Sequence, residues 1–445
     1  MAPGKSRLLD GSGQGASLRG RPFPQSAYAG LQKSLQQEWQ FVQRVVGGIG
    51  GEFADVQKAI SELFLPALCR DTLTEKDDVR LLLHGLPVKH AGMAIPDPTK
   101  SAKTNYEASS LVTSHLFAAL TGSKAFRSQE YVAVMTDVKS EAKSRKQTTD
   151  DRTLKSILSK LPCDVSRAIA RGKKTGQWLS VMPSTINGTD LAAQEFRDAL
   201  LLRFARTPGD LQSHCDGCGQ KNSVQHAHEC KNGGNVIMRH NEVAYTVGDL
   251  FSMALQPSAV RNEPLINSGC PAVTVKDVNP SNPALTHNLH KNQGGDLRGD
   301  LCIRGAWGKS IDLIADISIC DTDAKSNISR DPAKVLEARE KEKKRKYLAL
   351  CLQNRRHFTP FVVSTDGLIG KEAKALLQRL SSLLAEKWEK PYSVVCGYVN
   401  ARVSIAIVRA THLCLRGSRV PFSHFSSRRP QWEDKAGLSL FRHSS

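Results

Sequence analysis

Apolar residues recur at helical spacing through the first half of the chain. Leu35, Trp39, Val42 and Val46 fall on one face, and Val56, Ile60, Leu63 and Phe64 repeat the stripe. Residues 1–30, rich in Gly, Ser, Pro and Arg, read as a flexible tail ahead of this helical region. The polar run 136–153 reads as an exposed connection. Helix is expected again across 189–205, with Thr189 or Asp190 as its cap.

After residue 210 the period changes. A helix over 240–256 leads into a Pro/Asn/Gly-rich loop at 257–297, then short strands at 300–304 and 311–320 joined through Gly305 to Lys309. Asp331 and Pro332 suit the N-cap and first position of a long charged helix. A strand at 360–365 follows, then a helix at 371–388 with Leu376, Leu380, Leu383, Leu384 and Trp388 on one face. A last helix at 392–415 precedes a Ser/Arg/Pro-rich tail. Helix, strand, strand, helix, strand, helix is the order of an α/β sandwich.

Charge points toward a partner. Lys and Arg number 62 against 43 Asp and Glu, a formal net charge of +19 spread along the whole chain. Such an excess suits a polyanion, and nucleic acid is the first expectation. The N-terminus has no apolar stretch of the secretory kind, and no run approaches the ~18 apolar residues of a membrane span. The expectation is a soluble intracellular protein, nuclear or cytoplasmic, with no membrane partner; no pattern sets an oligomeric state.

Of the 11 cysteines, three cluster at positions 215, 218 and 230 in CDGCGQKNSVQHAHEC. Cys215 and Cys218 form a CxxC knuckle, and His226 and Cys230, four apart, share one face of a helical turn. Reduced thiols in this arrangement predict a structural zinc site closed by Cys215, Cys218, His226 and Cys230. His228 competes for the histidine role, but it stands only two residues before Cys230 and would point elsewhere.

The strand IDLIADISIC alternates. Ile311, Leu313, Ala315, Ile317 and Ile319 lie on one face, and Asp312, Ile314, Asp316, Ser318 and Cys320 on the other. An aspartate within so apolar a strand is costly to bury unless something pairs with it; a solvated edge is the other reading. Asp300 opens the preceding strand on a face with Cys302 and Arg304. Two carboxylates on adjacent strands suit a Mg²⁺ ion that polarises a phosphate and activates water. Lys344 and Tyr347, three apart on the next helix, could add a charge to that site, although Glu340–Lys344 and Glu337–Lys341 also read as ordinary i,i+4 surface pairs. Arg239 and His240 could grip phosphate where the cysteine segment turns into a helix, Glu242 could give the metal a third carboxylate, and Asn241 could cap the helix.

In order, CxxC…H…C, Arg-His-Asn, Arg-Gly-Asp, a downstream aspartate and Lys-x-x-Tyr resemble the C-terminal part of non-LTR retrotransposon proteins that carry a restriction-like endonuclease. FVQRVV, ELFLPAL and LLLHGLPVKHAGMAIPDP resemble the thumb and linker of that family, so the likeness spans roughly 30–420. It implies an α/β fold: a PD-(D/E)XK restriction-like nuclease domain (239–420) preceded by a small CCHC zinc segment (210–238) and an all-α N-terminal region. That region would be a thumb-like part at 31–150 and a helical linker at 151–209, with a basic tail at 421–445.

By the same resemblance, Cys215, Cys218, His226 and Cys230 match the zinc ligands, Arg239 and His240 the basic pair, and Asp300 and Asp316 the acids. Lys344 and Tyr347 match the displaced lysine and its tyrosine. Gly299 stands where the family has proline, Asn241 where it has aspartate, and Ser318 where simpler members have lysine. The implied activity is Mg²⁺-dependent nicking of a DNA target to leave a 3′-hydroxyl primer. Element RNA is a further expected partner, and Lys344 would orient or deprotonate the water. The alternative is a catalytically dead nucleic-acid-binding remnant. No Tyr-x-Asp-Asp occurs, so polymerase activity is not expected of this chain.

Overall fold

A computed structural model describes residues 23–70, 78–123, 125–266 and 297–419. The tail 421–445, with Trp432 and Phe441, and most of the loop 257–297 lie outside the described residues.

The N-terminal half is helical. Pro24–Gly30 runs through a π-type stretch into Gln36–Val45, so helix begins inside the segment expected as a tail. Three helices that follow position what comes next: α1 (Pro98–Leu120), α2 (Ser128–Ser159) and α3 (Cys163–Arg171). The polar run 136–153 is not a connection but the middle of α2; it reads as loop because it lacks an apolar stripe, while Leu154 and Ile157 at its end are buried. A further helix, α4 (Ala193–Arg203), begins later than the sequence predicts. Its first turn is tied by Glu195, whose carboxylate accepts from the Ala192 N–H at 2.7 Å. Thr189 instead donates to the Met182 carbonyl, and the Asp190 carbonyl accepts from Arg409. Tyr28, Trp39, Met93, Leu154, Trp178, Phe196 and Leu200 fill the core of this half.

The second half is a sheet between helices. After a short helix, α5 (Val224–Glu229), comes α6 (Asn235–Ala254), then β1 (Val260–Asn262), β2 (Leu301–Arg304), β3 (Asp312–Cys320), α7 (Pro332–Gln353), β4 (His357–Ser364), α8 (Lys371–Trp388) and α9 (Tyr392–Arg416). The strands lie in the order β1-β2-β3-β4. The first three pair antiparallel, and β4 joins β3 parallel after the α7 crossover. The chain is therefore α/β, with a small mixed sheet.

Both faces of the sheet are covered, so β3 is buried over most of its length. Leu301, Ile303, Leu313, Ala315, Ile317 and Phe361 pack with Val247, Phe251, Leu380 and Val403 of α6, α8 and α9. On the opposite face Cys302, Ile314 and Phe358 meet Tyr347 and Cys351 of α7. Alternation puts Asp316 and Ser318 on this α7 side, with Ile314. α9 is long and apolar enough to cross a membrane by composition, but 61% of its most apolar window is buried. The core accounts for its apolar character.

α7 starts where the sequence predicts. Asp331 Oδ1 accepts from the N–H groups of Ala333 and Lys334 at 2.9 and 3.2 Å, with Pro332 in the first turn. Asp331→Ala is expected to lower the unfolding free energy by about 1 kcal/mol, measured by chemical denaturation.

The two halves are tied by ion pairs. Arg171 of α3 reaches Asp323, in the loop after β3, and Asp366, just after β4; Arg167 Nε lies 3.1 Å from the same Asp323. α3 is thereby braced against the carboxyl ends of the two parallel strands.

Candidate metal centres

The cysteine segment forms a compact knuckle. Cys215 N–H donates to the Gln220 carbonyl and Gly219 N–H to the Cys215 carbonyl, both at 2.8 Å, closing a turn that needs the positive φ of Gly219 (73°). Ser223 Oγ caps α5 by accepting from His226 N–H at 3.0 Å, which sets His226 toward the knuckle. The ligand atoms of Cys215, Cys218, His226 and Cys230 all lie within 4.8 Å of one another.

Three of the six edges of this cluster are short enough for ligands of a single ion. Cys215 and Cys230 sulfurs are 3.8 Å apart, Cys218 and Cys230 sulfurs 3.9 Å, and Cys218 Sγ lies 3.3 Å from His226 Nε2. A Zn–S distance of ~2.3 Å requires S···S edges of about 3.8 Å. Burial opposes ionisation of the Cys215 thiol, but hydrogen bonds from His226 and the backbone amides of Gly217 and Cys218 bring it down to about 6. The four residues could hold a metal such as zinc. His228 is not among them; it is buried, with Nδ1 3.7 Å from Asp321.

Arg239, expected to face nucleic acid, is instead buried beneath this segment. Its Nη1 donates to the His228 carbonyl at 3.2 Å. Asn241 lies inside α6 and caps nothing, since that helix starts at Asn235.

The acid pair assembles at the β2–β3 junction. Asp300 N–H donates to the Ala315 carbonyl at 3.1 Å, and Asp300 Oδ2 accepts from Ile317 N–H at 2.6 Å. These bonds fix the carboxylate beside the strand that carries Asp316. His240 Nε2 lies 3.1 Å from Asp300 Oδ2, and its Nδ1 lies 3.1 Å from Asn241 Oδ1. Burial works against the charge of both partners. Their mutual contact prevails, holding the Asp300 carboxyl below its ordinary range and His240 above its own. Asp316, only 4% exposed, is pushed upward by burial and by the Asp300 carboxylate, with Lys343 opposing.

The lysine at this site is Lys343. Its Nζ stands 2.7 Å from Asp316 Oδ2, whereas Lys344 Nζ pairs with Glu372 of α8 at 2.5 Å. One residue turns the side chain about 100° around a helix, enough to move it from β3 to α8. Glu340, the other half of the expected surface pair, is buried and accepts from Glu372 N–H at 3.0 Å. Tyr347 is also buried, packed with Cys302, Ile314 and Phe358, and makes the ring above which Lys343 lies at 5.8 Å.

Glu242 is a second correction. It stands about 200° around α6 from His240. The charged groups acting on it are Arg409 and Arg402 of α9 and Glu195, so it adds no third carboxylate to the acid pair. The solvated-edge reading of the strand aspartates also falls. Asp312 is 9% exposed and pairs with Arg261 and Arg304 at 3.0 Å each.

Paired carboxylates are the donor set that a hard divalent cation takes. Asp316 Oδ2 is buried yet accepts no well-aligned hydrogen bond, although the Lys343 ammonium is near. The Lys343 ammonium at 2.7 Å is its counter-charge, and the Asp300 carboxylate acts on it electrostatically.

The chain matches no protein-family model and no curated protein.

Proposed function

We propose that the chain is a zinc-stapled, Mg²⁺-dependent DNA endonuclease module of the PD-(D/E)XK type, of the kind carried by non-LTR retrotransposons. The observation that carries the reading is the convergence of Asp300, Asp316, His240 and Lys343 at one place beside β3. The order of strands, with two acids on an antiparallel pair and a parallel strand after the crossover helix, agrees with it. So does the net charge of +19.

A divalent cation bound between the two aspartates would polarise the scissile phosphate and make water a better nucleophile. Around it the protein does the positioning. Lys343 holds the attacking water against Asp316 and offsets charge that develops on the phosphate. His240, whose charged form the Asp300 contact favours, would add positive charge near the phosphate when protonated. Water oxygen bonds to phosphorus and gives up a proton to solvent, the bond to the 3′-oxygen breaks, and that oxygen takes up a proton from solvent. The products are a 3′-hydroxyl and a 5′-phosphate. DNA and the element's RNA are the proposed partners.

Nicking of supercoiled plasmid by the zinc-loaded protein tests the assignment. Lys343→Ala is expected to lower the Mg²⁺-dependent rate by about 10²-fold or more, the scale of a lost charge-stabilising or proton-handling group. Lys344→Ala should stay near the parent. Ser318→Lys in the Lys343→Ala background should recover part of the rate, because residue 318 lies two beyond Asp316 on the same strand face. If Lys344→Ala is the damaging change, the lysine is wrongly assigned. DNA binding with no metal-dependent cutting would favour a binding remnant.

A further inference from the structure

The helix that carries Lys343 presents a second cation to β3 one turn earlier. Arg339 Nε donates to Ser318 Oγ at 3.0 Å, and Nη1 donates to both Glu342 oxygens at 2.8 and 2.7 Å. Ser318 is 6% exposed and follows Asp316 by two residues, so it lies on the same side of the strand. A guanidinium has five N–H donors in a rigid plane. The contacts to Ser318 and Glu342 use Nε and Nη1, and neither hydrogen of Nη2 meets a hydrogen-bond acceptor among the described residues. The side chain is 39% exposed, one helical turn before Lys343, which pairs with Asp316.

A guanidinium held on two sides, with two donors left over and an acid–lysine pair one turn away on the same helix, is preorganised for a phosphate oxygen. The arginines that brace the two halves differ. Arg171 is 8% exposed and spent on Asp323 and Asp366.

We propose that Arg339 grips a non-bridging oxygen of the nucleic-acid backbone through Nη2, and that Ser318 is the positioning residue that aims it. The inference rests on the endonuclease reading for the identity of the phosphate. Ser318 holds an arginine that reaches the substrate from α7.

The test uses the full chain, zinc-loaded, with duplex DNA. Affinity is measured against salt in Ca²⁺, and single-turnover nicking in Mg²⁺. Arg339→Gln is expected to reduce the slope of log affinity against log salt by about 0.9, the value for one lost phosphate contact, and to slow nicking by about 10²-fold. Lys341→Gln, on an exposed side chain paired with Glu337, should leave the slope unchanged. Arg339→Lys keeps the charge and so the slope, but loses the planar fork and with it most of the nicking rate. Ser318→Ala should keep the slope and slow nicking about 10-fold, a misaimed rather than missing donor.

An unchanged slope for Arg339→Gln, or an equal fall for Lys341→Gln, would overturn the contact. Full nicking by Arg339→Lys would show that charge alone suffices and overturn the fork. A parent that binds but never nicks would remove the endonuclease reading and leave the slopes to decide the Arg339 contact.

Discussion

Asp300→Asn and Asp316→Asn are each expected to lower Mg²⁺-dependent nicking by at least about 10³-fold while duplex DNA still binds. A metal that polarises a phosphate contributes several kcal/mol of transition-state stabilisation, and each 1.36 kcal/mol is a factor of ten in rate. Removing one of two carboxylates forfeits most of that. Asparagine is the informative replacement at position 300, because its carbonyl oxygen can still accept the Ile317 N–H that Asp300 accepts at 2.6 Å. At position 316 the change strands the Lys343 ammonium, which is 16% exposed beside it. Some loss of stability should therefore accompany the loss of rate, and thermal melting beside the kinetics separates the two. Either variant nicking at the parent rate would show that the acids hold no catalytic metal.

The second large effect concerns stability. Stripping zinc with a chelator, or replacing Cys230 by serine, is expected to loosen the segment that carries α5 and its seat against α9. Arg419, just beyond α9, donates its N–H to Asp216 at 2.8 Å and its Nη2 to the Ala227 carbonyl at 3.1 Å. Arg239 of α6 holds the His228 carbonyl from the other side. Without a metal, no bond holds the three cysteine sulfurs and His226 Nε2 at these separations. A metal that binds only the folded state contributes about 4 kcal/mol at free zinc a thousandfold above its dissociation constant, or roughly 8–16 °C of melting temperature for a unit of this size. Metal analysis should give one zinc per chain for the parent and none for Cys230→Ser. A parent with no zinc, or a chelated protein that melts unchanged, would refute the site.

Local signals in the sequence were the ones the structure matches most closely. The helix 371–388 is found at those bounds because its leucines repeat on one face and a glycine stands at the entry. Asp331 caps α7 because N-cap chemistry is settled within three residues. The four-residue cluster was likewise readable, since its ligands lie within one short segment.

What escaped was decided at a distance. β1 spans three residues in a run rich in Pro, Asn and Gly, and it exists because it pairs with β2 some forty residues on, Arg261 opposite Cys302. The lysine could not be chosen by spacing either. Lys343 and Lys344 stand four and three residues before Tyr347, and both spacings make helical neighbours. Only the placement of β3 on one side of α7 and Glu372 on another decides between them. Arg239 shows the same limit, because its burial depends on the His228 carbonyl that the folded cysteine segment presents.

Titration of the zinc-loaded protein with Mn²⁺, with free Mn²⁺ followed by electron paramagnetic resonance, asks whether the two aspartates share a cation. The parent should take up Mn²⁺ at a site that Mg²⁺ competes for, and the Asp300→Asn/Asp316→Asn double variant should lose that site while keeping its zinc. Equal Mn²⁺ uptake by the parent and the double variant would contradict the account.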